Sequence, residues 1–505
     1  MGAETRRDFL GRAGAATLLA VGGALPLAAA AKAVPATRTL ARGLRGSLVL
    51  PGQPGYAAAK ALANPRLDVP PRAIAFCATP HDVAAVIAFA RARRWPISAR
   101  SGRHSFAGYG NCRGIVADVS RMRHVLYDPA SSLVRIGAGA NLRDVYEGLV
   151  LRHGVALPIG TCPTVGVAGL ALGGGFGHLV RRAGLLCDSL VAVDLVLADG
   201  RGVRASPASS PDLFWACRGG GGGNFGVATE FTFRTLAAAP VATFSLSFAW
   251  AAAAAALDTW QRTIPPATDR LADSRFRALK SPATDGTTRL TATASGQFYG
   301  SETELRAILG PLLALGPERS TIRTVPYATA TVPDGCAVAA PGGLGCTVAR
   351  YPNYQQSDFV RDLLPAAAIQ ALLAEIERWP GGVGAHEGGV QIEALGSCAV
   401  NRVAAGATAF VHRDSLCHIV YLNFWGPGDP PAVVAANLAW GREIYAAMRP
   451  YVSGYAYQNY IDAGLADWRH AYYGGNYPRL QRIKRRYDPH DVFRFAQGIT
   501  AAAAA

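Results

Sequence analysis

The sequence predicts an α+β fold built in two unlike parts, and three observations carry that prediction. Between Ala73 and Ala99, a short apolar run, an amphipathic segment and a second apolar run follow one another as strand, helix and strand. Two glycine-rich stretches, Pro158–His178 and Asp212–Phe231, then bracket a buried strand over Leu190–Asp199 that ends on a DG turn. From about Pro240 the texture changes. Arg289–Tyr299, Gln391–Val403 and Ala409–Trp425 read as strands of an antiparallel sheet, with helices over it.

In chain order, Ala41–Arg66 reads as loop, with PGQPGY as its turn signal. Ala73–Cys77 reads as a strand. Thr79 then offers an N-cap and Pro80 the first helical position, with Val83, Val86, Ile87 and Ala90 at helical spacing. Trp95–Ala99 returns as a strand and runs into Arg100-Ser101-Gly102-Arg103-His104-Ser105. Ile115–Val119 and Val134–Ile136 alternate as strands. Asn141–His153 reads as a helix carrying Leu142, Val145, Tyr146 and Leu149 on one face. In the second part, Ala251–Ile264 is an alanine-rich helix.

Composition narrows the function classes. The chain has 505 residues, 50% hydrophobic and 17% charged, which suits one to three domains with ample core. The net charge of +16 and pI of about 9.7 raise nucleic acid as a partner. The basic residues are scattered, however, and the one dense cluster is Arg479–Arg486. That reads as a basic surface, with no nucleic-acid partner. Arg6-Arg7 ahead of the small, apolar run Ala13–Ala31 reads as a twin-arginine (Tat) export signal cleaved near Ala28–Ala31. Nothing later looks transmembrane, so the mature protein is expected outside the cell. Of nine cysteines, Cys336 and Cys346 in PDGCAVAAPGGLGC are the expected disulfide. If Cys162 has a chemical role, eight are left that can pair. No spacing resembles a zinc site, and no metal is expected. Neither G-x-S-x-G nor H-E-x-x-H occurs, which leaves hydrolase readings without support.

The densest signal is Pro158–His178, PIGTCPTVGVAGLALGGGFGH, in which one cysteine precedes six glycines and a histidine. Without a Cβ, backbone N–H groups come close to a ligand, and a phosphate-bearing cofactor uses such a surface. The pattern is neither G-x-G-x-x-G nor G-x-x-x-x-G-K-[ST]. Two readings stay open on physics alone, a phosphate cradle and a packed glycine-rich turn.

With Cys162 included, this stretch closely resembles the flavin-binding loop of berberine-bridge-enzyme-like oxidases, in the vanillyl-alcohol-oxidase superfamily. DLFWACRGGGGGNFGVATEF (212–231), QIEALGSCAVNRV (391–403, through Glu393, Gly396 and Asn401), YQNYID (457–462) and YYGGNYPRLQRIKRRYDPHDVFRFAQGI (472–499) resemble further family segments, in the same order. The resemblance implies a signal peptide over 1–31, a lead-in over 32–70 and a two-lobed PCMH-type FAD-binding domain over 71–237. A substrate domain with an antiparallel sheet covered by helices follows over 238–450, and 451–505 completes the FAD domain. It implies FAD held by two covalent bonds, from His104 to the 8α-methyl and from Cys162 to C6. Two tethers on opposite sides of the ring would fix the flavin and make it more oxidising. The other implied cofactor contacts are Arg100, Ser101, Gly102, Arg103 and Ser105; Gly160, Thr161, Thr164, Val165, Gly166, Gly169, Gly173, Gly174, Gly175 and Gly177; Gly226 and Val227; and Asn476 and Tyr477. Arg103 stands where the family usually has glycine, which adds bulk close to the cofactor. Valine at 165 is the small residue that leaves oxygen a path to the flavin, where a bulkier Leu or Ile blocks it.

For chemistry the resemblance implies Tyr460 as the base that removes a hydroxyl proton while hydride leaves the same carbon. A phenol of pKa about 10 needs nearby positive charge or hydrogen bonds to do this at neutral pH. His418 stands where relatives often carry Glu or Gln. It reads either as base or substrate contact, or as a satisfied core histidine. The expected function is an exported FAD-dependent oxidase acting on a small-molecule alcohol or equivalent C–H donor, with O2 reduced to peroxide. A dehydrogenase using another acceptor, and a secreted flavin-bearing binding protein without turnover, are the alternatives. Relatives in this family oxidise sugars, oligosaccharides, alkaloids and other secondary metabolites.

Overall fold

The computed structural model describes residues 37–283, 285–339 and 343–501. The twin-arginine segment lies outside them. Residues 37–42 are helical and belong to an N-terminal unit ending at Arg42; the chain from Gly43 onward forms a second unit.

Strands β1 (Ser47–Val49), β2 (Ala73–Phe76), β3 (Ile97–Arg100) and β4 (Ile115–Asp118) make a sheet in the order β1-β2-β4-β3. Both β2 and β3 run parallel to β4. Helix α1 (Pro80–Arg93) carries the chain from β2 over to β3, and residues 101–114 bring it back to β4 between them, as parallel pairing requires. The Thr79 side chain accepts from the Asp82 N–H, Pro80 opens the helix, and Val83, Val86, Ile87 and Ala90 are buried, as the spacing predicts. A second sheet follows, antiparallel, in the order β5-β6-β10-β8-β9. Its strands are β5 (Val125–Asp128), β6 (Leu133–Gly137), β8 (Leu190–Val196), β9 (Gly202–Ala205) and β10 (Val227–Arg234). The two-residue strands β7 (Val155–Ala156) and β11 (Leu236–Ala237) pair separately. The helix expected over Asn141–His153 forms with a capping box at Asn141 and widens into a π-turn over Tyr146–Leu151. The 41–66 segment holds β1 and a short helix, Tyr56–Lys60, where loop was expected. Gly46, Ser47 and Leu48 find backbone and side-chain partners there: Gly46 N–H donates to Asp82, and Ser47–Val49 pair with β2.

The second part is an antiparallel sheet of seven strands in the order β15-β12-β14-β13-β19-β20-β18. They are β12 (Val241–Phe248), β13 (Leu271–Pro282), β14 (Thr288–Phe298), β15 (Arg319–Val325), β18 (Gln356–Val360), β19 (Glu387–Ala394) and β20 (Cys417–Phe424); β16 (Cys336–Ala339) and β17 (Gly343–Cys346) form a separate hairpin. Successive side chains of a strand point to opposite faces. One face, with Phe276, Ala278, Ala292, Ala294, Val390, Ile392 and Ile419, packs beneath α2 (Ala253–Thr263), α3 (Glu302–Leu313), α4 (Ala366–Glu377) and α5 (Pro431–Met448). The alternate residues Asp273, Arg275, Ser295, Gln297, Gln391, Glu393 and His418 lie on the other face. That face builds the site.

Two expectations are corrected. The strands read over Gln391–Val403 and Ala409–Trp425 stop at Ala394 and begin at Cys417; 395–416 is loop. Its apolar residues Leu395, Cys398, Val400 and Phe410 bury against Phe176, Val180 and Tyr457 without a strand partner, which gives loop the composition of strand. Cys336 and Cys346 are bonded, but the remaining cysteines do not pair. All seven are free, and Cys77, Cys187, Cys217, Cys398 and Cys417 are buried singly as small apolar side chains.

Candidate active site

The His104 loop leaves β3 at Arg100, whose buried guanidinium binds Asp118 at 2.7 Å and Asn111 at 2.6 Å. One buried nitrogen, Nη2, is left without a partner. The Ser101 hydroxyl donates to the Ala138 carbonyl at 2.7 Å, and Ser105 Oγ accepts from the Tyr109 N–H at 3.0 Å. Arg103 adopts φ 67°, the left-handed region that glycine enters freely. Its guanidinium points to the Ala58 carbonyl (3.1 Å) and to Asp118 (3.9 Å), so the bulk expected beside the cofactor is spent on the neighbouring sheet.

His104 Nε2 lies 2.8 Å from Thr164 Oγ1, and Cys162 Sγ lies 3.5 Å from the same oxygen. One hydroxyl therefore joins the two nucleophilic side chains. Burial, with Arg350 adding to it, pulls His104 down to about 4, which leaves its imidazole neutral at physiological pH. The loop is held from outside by Asp334, whose N–H donates to the Thr161 carbonyl at 2.9 Å and whose carboxylate accepts from the Thr161 hydroxyl. Val165 closes the turn, donating to the Cys162 carbonyl at 3.3 Å.

Beyond it, Gly166 caps the helix Val167–Leu172, and several of the glycines stand where a side chain would collide. A β-carbon on Gly173 would fall 2.0 Å from Asn459 Oδ1, and one on Gly177 2.0 Å from the Ile159 carbonyl. Gly174 and Gly175 take φ 123° and 94°, and the Gly175 N–H reaches the Tyr457 hydroxyl at 2.8 Å. Gly226 backs onto the Val196 carbonyl as Val227 opens β10. A β-carbon on Gly160 would make ordinary contact, 3.4 Å from the Phe176 carbonyl; one on Gly169 would meet nothing within 4 Å, and one on Gly222 of the second glycine run would lie 3.9 Å from the Gly169 Cα. Two glycine-rich backbones thus meet with no Cβ between them, and together with the paired His104 and Cys162 they fit a phosphate-bearing flavin cofactor. Asn476 donates to the carbonyls of Ala405 and Thr408, and the buried Tyr477 ring stacks with Tyr473.

The polar face of the large sheet stands nearby, with Tyr460 within electrostatic reach of Cys162. Tyr460 stacks on Phe106 at 4.9 Å and lies 5.5 Å from the His418 ring. Burial pushes its phenol up, and Glu393 adds to this; Arg275 opposes both. The positive charge that the chemistry asks for is therefore present, but in this state burial outweighs it. His418 is wholly buried and stacked on Phe176 at 4.7 Å; its Nδ1 lies 3.4 Å from Glu393, and its Nε2 has no partner. Beside them, His178 Nδ1 faces Asp273 at 3.3 Å and Gln297 at 3.1 Å. Asp273 Oδ1, Gln297 Oε1 and His178 Nε2 are buried without partners. Sequence reasoning missed Asp273, Arg275 and Gln297. The signal was there in Asp273-x-Arg275-x-Arg277, charged residues at alternate positions of one strand.

Known proteins resemble this chain along most of its length. The family described as "FAD binding domain" matches residues 71–206, and "Berberine and berberine like" matches residues 456–500. The uncharacterized FAD-linked oxidoreductase YgaK of Bacillus subtilis is 35% identical over 90% of this chain and 97% of its own length. Aclacinomycin-N/aclacinomycin-A oxidase of Streptomyces galilaeus is 32% identical over 80% of each. Among solved structures, two variants of the grass pollen allergen Phl p 4 match with TM-scores of 0.77 and 0.78, each 25% identical over 90% of this chain and 97% of theirs. One is a glucose dehydrogenase, and the other, with an isoleucine further replaced by valine, is a glucose oxidase. Among the described residues no helix is long and apolar enough to cross a membrane. The chain belongs to the berberine-bridge-enzyme-like, PCMH-type FAD-linked oxidoreductases.

Proposed function

We propose that this protein is an exported oxidase that removes hydride and a proton from an alcohol, using FAD bonded to both His104 and Cys162. The observation that carries this is the shared hydroxyl of Thr164, which holds His104 Nε2 and Cys162 Sγ together where the two loops meet. The neutral His104 imidazole is in the state that bonds carbon. FAD, when bound, supplies the hydride acceptor and hands the electrons on to O2. The chain's own residues do the rest. The glycine backbones admit the cofactor, the Tyr460–Phe106 stack walls the chamber, and Tyr460 and His418 are the two groups suited to take the hydroxyl proton. Val165, the small residue, supports oxygen as acceptor. The buried unpartnered oxygens of Asp273 and Gln297 suit a donor bearing several hydroxyls, such as a sugar, oligosaccharide or glycosylated metabolite.

The test is a screen of mono- and oligosaccharides and aromatic alcohols against purified protein, followed by flavin bleaching without air and by peroxide release in air. Bleaching with peroxide supports an oxidase. Bleaching that air does not reverse identifies a dehydrogenase. A flavin that no donor bleaches identifies a binding protein.

A further inference from the structure

His418, Glu393 and Arg275 stand directly opposite one another on three adjacent strands, β20, β19 and β13. The Arg275 guanidinium is 4.0 Å from Glu393 Oε1, and Gln391 donates to that oxygen at 3.1 Å. The other carboxylate oxygen, Oε2, faces His418 Nδ1 at 3.4 Å. The imidazole is fixed between Phe176 and Tyr460, with Tyr457 and Phe359 at its edges. Its second nitrogen, Nε2, is buried with nothing to bond. A carboxylate that accepts the Nδ1 proton fixes the tautomer in which Nε2 is an acceptor, and it stabilises the imidazolium once formed.

We propose that Glu393 positions His418 so that Nε2 receives the proton of the substrate hydroxyl. This rests on the reading of the chain as an alcohol-oxidising flavoenzyme. In the step, the O–H bond breaks and an N–H bond forms at Nε2. The C–H bond on the same carbon breaks, its electron pair leaves with hydrogen to the flavin, and a C=O bond forms. Tyr460 keeps its proton and closes the chamber; a phenolate beside Glu393 in this buried place is the costlier product. Burial pushes Glu393 up, but the His418 hydrogen bond, followed by the His418 and Arg275 charges, outweighs it and leaves the acid below its usual range. The charged or titratable groups around His418 are Glu393, Arg275, His412, Tyr457 and Tyr460.

The experiment uses flavin-loaded protein with 15N-labelled histidine, the His418 signals being assigned by their loss in His418→Gln. The expected result is a single tautomer in the wild type, with Nδ1 protonated and Nε2 bare, which becomes a mixture in Glu393→Gln. With a donor that bleaches the wild-type flavin, Glu393→Gln moves the acid limb of kcat/KM down by about one pH unit. His418→Gln loses that limb and about 10²–10⁴-fold in rate, whereas Tyr460→Phe keeps the limb. A wild-type His418 protonated at Nε2, or a His418→Gln protein that keeps both limb and rate, overturns the proposal. If no donor bleaches the wild type, the functional reading falls, while the tautomer still decides whether Glu393 positions His418. Flavin content and melting temperature of each variant identify any that has simply failed to fold.

Discussion

A β-carbon on Gly102 would lie 2.0 Å from the backbone nitrogen of Gly166, so the loop carrying His104 and the loop carrying Cys162 meet backbone to backbone. Neither neighbour has a side chain that can swing aside. Gly102→Ala is therefore expected to separate the loops and break the Thr164 bridge. Overpacking of this kind costs about 1–3 kcal/mol, more where backbone must move. Thermal melts should show that loss, and the purified variant should carry less covalent flavin than wild type. A Gly102→Ala protein with wild-type stability and flavin content would remove this close contact from the account.

Asp358 is buried on β18 against Arg449 and Tyr421. Burial pushes its carboxyl up to about 7, with Arg449 and Tyr421 opposing. The folded protein therefore holds a proton that the unfolded chain, with an ordinary Asp pKa near 3.8, releases earlier. Its contribution to stability is complete below about pH 4 and is lost as pH rises through about 7, up to about 4 kcal/mol in all. Denaturant melts of wild type and Asp358→Asn from pH 4 to pH 8 isolate this effect. The wild type should lose stability relative to the variant across that range, and parallel curves would contradict it.

The Cys336–Cys346 bond closes a hairpin whose Leu344 N–H donates to Glu147 at 2.7 Å and whose base carries Asp334. A closed loop of about ten residues is worth about 3 kcal/mol. The double variant Cys336→Ser, Cys346→Ser should lose stability of that order. Because Asp334 grips Thr161, attachment at Cys162 should fall more than attachment at His104. Equal loss at both residues would mean that the hairpin supports the fold alone.

Much of this architecture was legible in the order of the residues. Thr79 and Pro80 announce α1, and the spacing of Val83, Val86, Ile87 and Ala90 gives its buried face. The PDGCAVAAPGGLGC loop shows its disulfide, because two cysteines that near in a turn-rich segment can meet as a cross-strand pair. The 395–416 loop misled because its apolar residues pack on Phe176 and Tyr457 instead of a sheet partner. Asn401 holds it through the Arg413 and Ser415 carbonyls. The row from His418 through Glu393 to Arg275 was beyond a linear reading. Each lies in a different strand, and only the sheet register brings them opposite one another. Arg103 shows the same limit: its bulk was readable, the direction of its side chain was not.

The central claim is that His104 and Cys162 both carry the cofactor, and the most direct test is chemical. Purified, folded protein is denatured, precipitated with acid, digested and weighed peptide by peptide. With both attachments in place, the precipitate is yellow and flavin mass sits on a species that links the His104 and Cys162 peptides. With Cys162→Ala the flavin should stay on the His104 peptide alone. A colourless precipitate from folded protein, with the flavin left wholly in the supernatant, would contradict the claim.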